Sequence, residues 1–177
     1  MSRLPSIFLS YNPGNDVEET LAIRMHTLGA VHGFRMYLPD RFLNEEDLSV
    51  ETQSRINASN YYIMFSTQKK LSDVTRKEIQ FAFAQKKDRS KIIVIYDKEV
   101  GKNLKNADEF TALFYDKANE SMEQFSSKVL QKIKTLNDND KSMSPKEAAK
   151  EDDAMAGFVL AGLALLLLAA VFSTGKK

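Results

Sequence analysis

Glu78 is the residue whose type and place suggest chemistry. It lies in the stretch from Asn60 to Tyr96, NYYIMFSTQKKLSDVTRKEIQFAFAQKKDRSKIIVIY. Within it Leu71, Thr75, Ile79, Ala82 and Phe83 recur at spacings of three and four, the stripe of a core-facing helix. Glu78 stands on the flank of that stripe, near Leu71, Ala82 and Gln85. A carboxylate there can be aimed at the carboxyl ends of the neighbouring strands, where open parallel sheets bind ligands. It can then accept hydrogen bonds and stabilise positive charge. The bland alternative is a solvated Glu paired with Lys77 or Arg76, since Glu is mostly exposed. Tyr11 and Asn12 follow the first predicted strand, and Asp40 and Glu45 the second, so all four can face the same crevice. For Tyr11 and Asn12 the alternative is local turn chemistry. For Asp40 and Glu45 it is a solvated acidic loop.

Several chemistries are excluded by what the chain lacks. It has no cysteine, so disulfides and thiolate metal sites are absent. Its two histidines, His26 and His32, are too few for a histidine-built metal centre. With 25 Lys+Arg against 24 Asp+Glu, charge gives no argument for a nucleic-acid partner. Neither a phosphate loop nor a dinucleotide fingerprint occurs. A phospho-receiver needs acidic residues after the first strand and an Asp ending the third; those places hold Ser10-Tyr11-Asn12 and Phe65-Ser66.

The elements that must position these residues alternate along the chain. Leu4 to Tyr11, Phe34 to Leu38, Tyr61 to Phe65 and Lys91 to Tyr96 read as strands, the last two apolar on both faces. Asn12-Pro13-Gly14-Asn15 is a turn cluster, and Asp16, Glu18 and Glu19 suit the start of a helix. That helix carries Val17, Leu21, Met25 and Leu28, and ends near Gly33. A short helix covers about Ser49 to Ser59, capped by Ser49 or Asp47. The Glu78 helix follows, capped by Ser72 or Asp73. Ala107 to Asp116 is ambiguous between a short helix and a fifth strand, and Met122, Phe125, Val129, Ile133 and Leu136 mark the last helix. Strand, helix and strand in alternation predict an α/β fold, a flavodoxin-like parallel sheet with helices on both faces.

Composition divides the chain. Residues 1–136 form the globular domain and the polar run at 137–153 reads as a linker. From Ala154 to Phe172 every residue is apolar or glycine, enough for one membrane crossing of about 20 residues. The span is placed at 154–173, with a short tail at 174–177. The chain is thus expected to be a single-pass, tail-anchored membrane protein. Lysines flank both ends of the span, so charge barely orients it; the absence of cysteine and of a signal peptide places the domain in the cytoplasm. Gly157 and Ala161 form a small-xxx-small pair that permits helix packing, and a homo-oligomer is expected.

Five segments in order resemble the Toll/interleukin-1 receptor (TIR) domain family. SIFLSY at Ser6 to Tyr11 looks like its first box, and HGF at His32 to Phe34 enters the second strand in its manner. INASNYYIMFST at Ile56 to Thr67 is similar to its helix and third strand, and KIIVIYD at Lys91 to Asp97 to its fourth. DVTRKEI at Asp73 to Ile79 resembles the segment that holds the glutamate of enzymatic TIR domains. The resemblance spans Leu4 to Leu136. It implies cleavage of the nicotinamide–ribose bond of NAD, giving ADP-ribose or a cyclised isomer, with Glu78 catalytic. NAD is then the substrate, and no cofactor is implied. A defence or cell-suicide role rests on the resemblance alone. The alternatives are a non-enzymatic, membrane-anchored scaffold acting by homotypic assembly, and a nucleoside-processing transferase on the related fold.

Overall fold

The computed structural model describes residues 4–41, 48–67, 71–85, 88–98 and 110–142. In chain order these give β1 (Ser6–Ser10), α1 (Asp16–Val31), β2 (Arg35–Tyr37), α2 (Val50–Ala58) and β3 (Tyr61–Ser66). Then come α3 (Asp73–Gln85), a 3-10 turn (Arg89–Lys91), β4 (Ile92–Tyr96), β5 (Thr111–Phe114) and α4 (Met122–Ser142). The five strands form one parallel sheet in the order β2-β1-β3-β4-β5. This is the flavodoxin-like arrangement expected from the alternation, and its chain order reverses between β1 and β3.

Period-two alternation sorts the strand residues into two cores. Ile7, Leu9, Ile63, Phe65, Ile93 and Ile95 face α1 and α4, where they meet Leu21, Met25, Phe125 and Ile133. Phe8, Tyr62, Met64, Ile92 and Val94 face α2 and α3, where they meet Ile56, Leu71, Ile79 and Phe83. Every residue of β1 and β3 is buried, Ser6 and Ser10 of β1 included. Phe8 and Tyr62 stack nearly parallel across the β1–β3 pair, ring centroids 5.7 Å apart.

The helix ends follow local chemistry. Asn15 caps α1, its side chain accepting from the Val17 and Glu18 N–H groups. Gly33, at φ 84°, turns the chain from α1 into β2, a conformation that favours glycine. Ser49 caps α2 through the Thr52 N–H, and Ser72 does the same for α3 through the Thr75 N–H.

Two elements sharpen the sequence reading. The ambiguous stretch at Ala107 to Asp116 contains the edge strand β5, and the Tyr115 N–H extends the pairing to the Tyr96 carbonyl at 2.8 Å. The last helix does not stop at Leu136 but runs to Ser142. Lys91 Nζ, at the foot of β4, pairs with Asp140 at 3.2 Å, and adding a turn to an existing helix costs little. No helix among the described residues is long and apolar enough to cross a membrane. The expected span at 154–173, most of the linker and the tail lie outside the described residues.

Candidate functional site

The site forms at the carboxyl end of β1, where the order of strands reverses. Ser10 is the last residue of β1 and points, like Phe8, to the α3 side of the sheet. There it donates to Glu78 Oε2 at 2.5 Å. Glu78 is fully buried on α3. The alternative of a solvated Glu beside Lys77 or Arg76 is therefore wrong for this residue; Arg76 instead pairs with Asp73 at 2.6 Å.

Arg41, from the loop after β2, supplies the compensating charge. Its Nε and Nη2 donate to Glu78 Oε1 at 3.1 and 2.8 Å, and Nη2 also reaches Oε2 at 3.0 Å. Such forked pairs are among the stronger hydrogen-bonded contacts. The guanidinium lies 4.6 Å from the Tyr11 ring centroid. Its Nη1 is buried without a partner among the described residues. Burial pushes the Glu78 carboxyl up, while Arg41 and Ser10 pull it back down. Among the described residues, every group hydrogen-bonded to the carboxylate donates, which is the arrangement an ionised side chain requires.

Tyr62 closes the floor of the site. Its hydroxyl lies beside Ser10 without hydrogen-bond geometry and is fully buried. Burial, followed by the Glu78 charge, pushes its pKa well above the ordinary tyrosine value. Tyr11, half-buried at the rim, is also raised by burial, against the opposing pull of Arg41.

A second buried carboxylate stands nearby. Glu18, in the first turn of α1, is fully buried. Its Oε2 accepts from the Asn12 N–H and Nδ2 at 2.8 and 2.9 Å. Its Oε1 accepts from the Thr67 N–H and Oγ1 at 2.7 and 3.0 Å. Burial raises its pKa and these four bonds oppose the rise. The loop between Asn12 and Asn15 fits this contact because Pro13 and Gly14, at φ 77°, occupy the middle of a turn closed by Asn15 N–H to Asn12 O.

The five residues singled out by sequence meet different fates. Glu78 and Tyr11 come together around Arg41. Asn12 is buried at 2% exposure and spends its side chain on Glu18 and on the Ser72 N–H, so it braces the site and does not line it. Asp40 contributes its backbone: its N–H and carbonyl bind Thr52 Oγ1, and the carbonyl also accepts from Ser49 Oγ. This clamp to the start of α2 fixes where Arg41 leaves the chain. Glu45 lies outside the described residues.

Ser10, Arg41 and Glu18 were not singled out. Ser10 is legible as the polar residue that follows the apolar run Ile7 to Leu9, and Arg41 as the one basic residue in an acidic loop. Glu18 carried the Asn-x-x-Glu spacing of a capping box from Asn15. Among the described residues, no group of three or more His, Cys, Asp or Glu could hold a metal ion. Two described grooves, of 310 and 370 Å³, lie against α4, by Ile23, Thr27 and Val31 and by Leu4, His32 and Phe34, away from Glu78.

No protein-family model and no curated protein matches the chain. Among solved structures, the metal-soaked Flv1 flavodiiron core from Synechocystis sp. PCC6803 superposes with a TM-score of 0.52 at 11% sequence identity. That match covers 76% of this chain and 37% of the flavodiiron chain, so this protein spans little more than a third of that one's length. The Clostridium botulinum CMP N-glycosidase BcmB superposes with a TM-score of 0.44 at 16% identity, over 70% of this chain and 97% of its own. The first likeness concerns the fold alone, and the second is too loose to support an argument.

Proposed function

We propose that the chain is a TIR-type enzyme that cleaves NAD between nicotinamide and ribose, with Glu78 as its catalytic carboxylate. The observation that carries this reading is a fully buried glutamate at the reversal point of a parallel sheet, held by side-chain donors only. The segments that resemble TIR domains put the same residue at the catalytic place.

The chemistry suits so sparse a site. When the bond from C1′ to the pyridinium nitrogen breaks, its electron pair stays on that nitrogen, and nicotinamide leaves neutral without a general acid. Positive charge gathers on C1′ and the ring oxygen, as in glycoside hydrolysis. A preorganised carboxylate offsets that charge. Water then bonds to C1′ and releases a proton to solvent, giving ADP-ribose; attack by an adenine nitrogen gives a cyclic isomer. For ribose to reach Glu78, Arg41 must turn away from at least one oxygen. All three Arg41 bonds come from one partly exposed side chain, so a single rotation frees Oε1 and leaves Ser10 on Oε2.

The proposal includes a membrane anchor at residues 154–173, a domain on the cytoplasmic side and work as a homo-oligomer. The test is nicotinamide release from NAD by the full chain in liposomes. Release supports the enzyme, and silence of the clustered, folded protein supports the scaffold. The anchor is expected to hold the chain in the membrane fraction through carbonate washing; release by carbonate would remove it from the proposal.

A further inference from the structure

We infer that Glu18 is a positioning residue that holds the start of α3, and through it Glu78, in register with the end of β1. The inference rests on the reading of Glu78 as catalytic.

Glu18 is not itself a ligand-binding group. Four protein donors fill its two oxygens, two of them backbone N–H groups that cannot swing away. What it does is fix two loops at once. Asn12 belongs to the loop after β1 and Thr67 follows β3 directly. With its Nδ2 committed to Glu18, the Asn12 amide has one orientation, and its Oδ1 faces the Ser72 N–H at 2.8 Å. Ser72 Oγ caps α3 through the Thr75 N–H, and Thr75 Oγ1 donates to the Tyr11 carbonyl at 3.1 Å. Asn15, the cap of α1, donates to Thr67 Oγ1 at 3.3 Å and closes the circuit.

The chain of contacts therefore runs from Glu18 through Asn12 to the first turn of α3, and Glu78 is fewer than two turns further along. Asn12 and Tyr11 tie that turn to the same loop that follows Ser10, the partner of Glu78. Glu18 thus governs the distance between Ser10 and Glu78 without touching either.

The test uses the full chain carrying Glu18→Gln. A glutamine offers one acceptor oxygen to four donors, so one of the two loops loses its anchor. Hydrogen exchange at the Ser72 and Thr75 amides is expected to speed up by about tenfold, with Val129 to Ile133 of α4 unchanged. In nicotinamide release, kcat is expected to fall about tenfold with KM within twofold of wild type, since the lost alignment matters in the transition state. Ile133→Val, a core change on the other side of the sheet, is the control for stability alone and should leave kcat unchanged. If Glu18→Gln does not fold, Thr67→Val removes one donor to Glu18 and the acceptor of Asn15 Nδ2, keeps the backbone bond from Thr67, and should move both readouts in the same direction, less far.

Exchange unchanged at Ser72 and Thr75, or raised equally along α4, overturns the inference. So does local loosening with kcat intact in an active protein. If wild type releases no nicotinamide, the function proposal fails, while the exchange result alone decides whether Glu18 holds the start of α3.

Discussion

Glu18 and Glu78 are both fully buried glutamates near the carboxyl ends of the same sheet, and they are held in opposite ways. The donors to Glu18 include the backbone N–H groups of Asn12 and Thr67, which move only if loops move. The donors to Glu78 are all side chains, Ser10 and Arg41, which move by rotation. Burial raises the pKa of both. The difference teaches that a buried carboxylate is not by that fact a functional one. The one wired to backbone braces the structure; the one wired to side chains is the one that the proposed function has exchange its partners for a substrate.

The comparison is broken most severely at Arg41. Replacing Arg41 by Met strands a buried charge, and one-sided removal of a buried pair costs about 3–5 kcal/mol. Chemical denaturation should register that loss. The same variant tests the titration. Because burial already raises the Glu78 pKa and the proposed function needs the carboxylate form, activity should fall as pH drops through a value above 4.5, the usual one for this group. Arg41 lowers that value, so its removal should move the acid limb to higher pH. An unmoved limb would show that a group other than Glu78 governs it.

Glu18→Gln is the matching change on the other side. It should cost about 1–3 kcal/mol, because buried donors are left facing an amide NH₂. If Glu18→Gln and Glu78→Gln prove equally stable and equally active, the distinction between bracing and catalysis disappears.

Ser10→Ala should cost less than Arg41→Met. It removes one hydrogen bond to a charged group, worth about 1.5–3 kcal/mol at most, and Arg41 remains to neutralise Glu78. A melting shift larger than that of Arg41→Met would assign the main support of Glu78 to Ser10 instead.

Much of this arrangement could be read from residue order, for identifiable reasons. Strands buried on both faces show as apolar runs, as in YYIMFS and KIIVIY. The α3 stripe shows because Thr75, Ile79, Ala82 and Phe83, with Leu71 just before the helix, recur at spacings of three and four, and all five are buried. Glu78 stood out as an acid on the flank of that stripe. Its partner did not, because Arg41 lies 37 positions away and is brought in by the Asp40 backbone clamp on Ser49 and Thr52. Glu18 was read as a charge suited to a helix start, which its position permits, but its carboxylate reaches past its own helix to a different strand end. β5 was ambiguous because it is short and only half-buried, so its pattern carries little periodicity. α4 outruns its apolar stripe because its last turn is polar throughout, with Asp140 paired to Lys91.

The central claim is that Glu78 carries the catalysis, and the direct measurement is nicotinamide release from NAD by wild type and Glu78→Gln. Glu51→Gln serves as the control, since Glu51 pairs with Arg55 on the exposed face of α2. Thermal melts establish that each variant is folded. Turnover by Glu78→Gln is predicted to fall about 10²–10³-fold, the range seen when one preorganised electrostatic group is lost, with Glu51→Gln close to wild type. A folded Glu78→Gln protein that turns over NAD as fast as wild type would contradict the assignment.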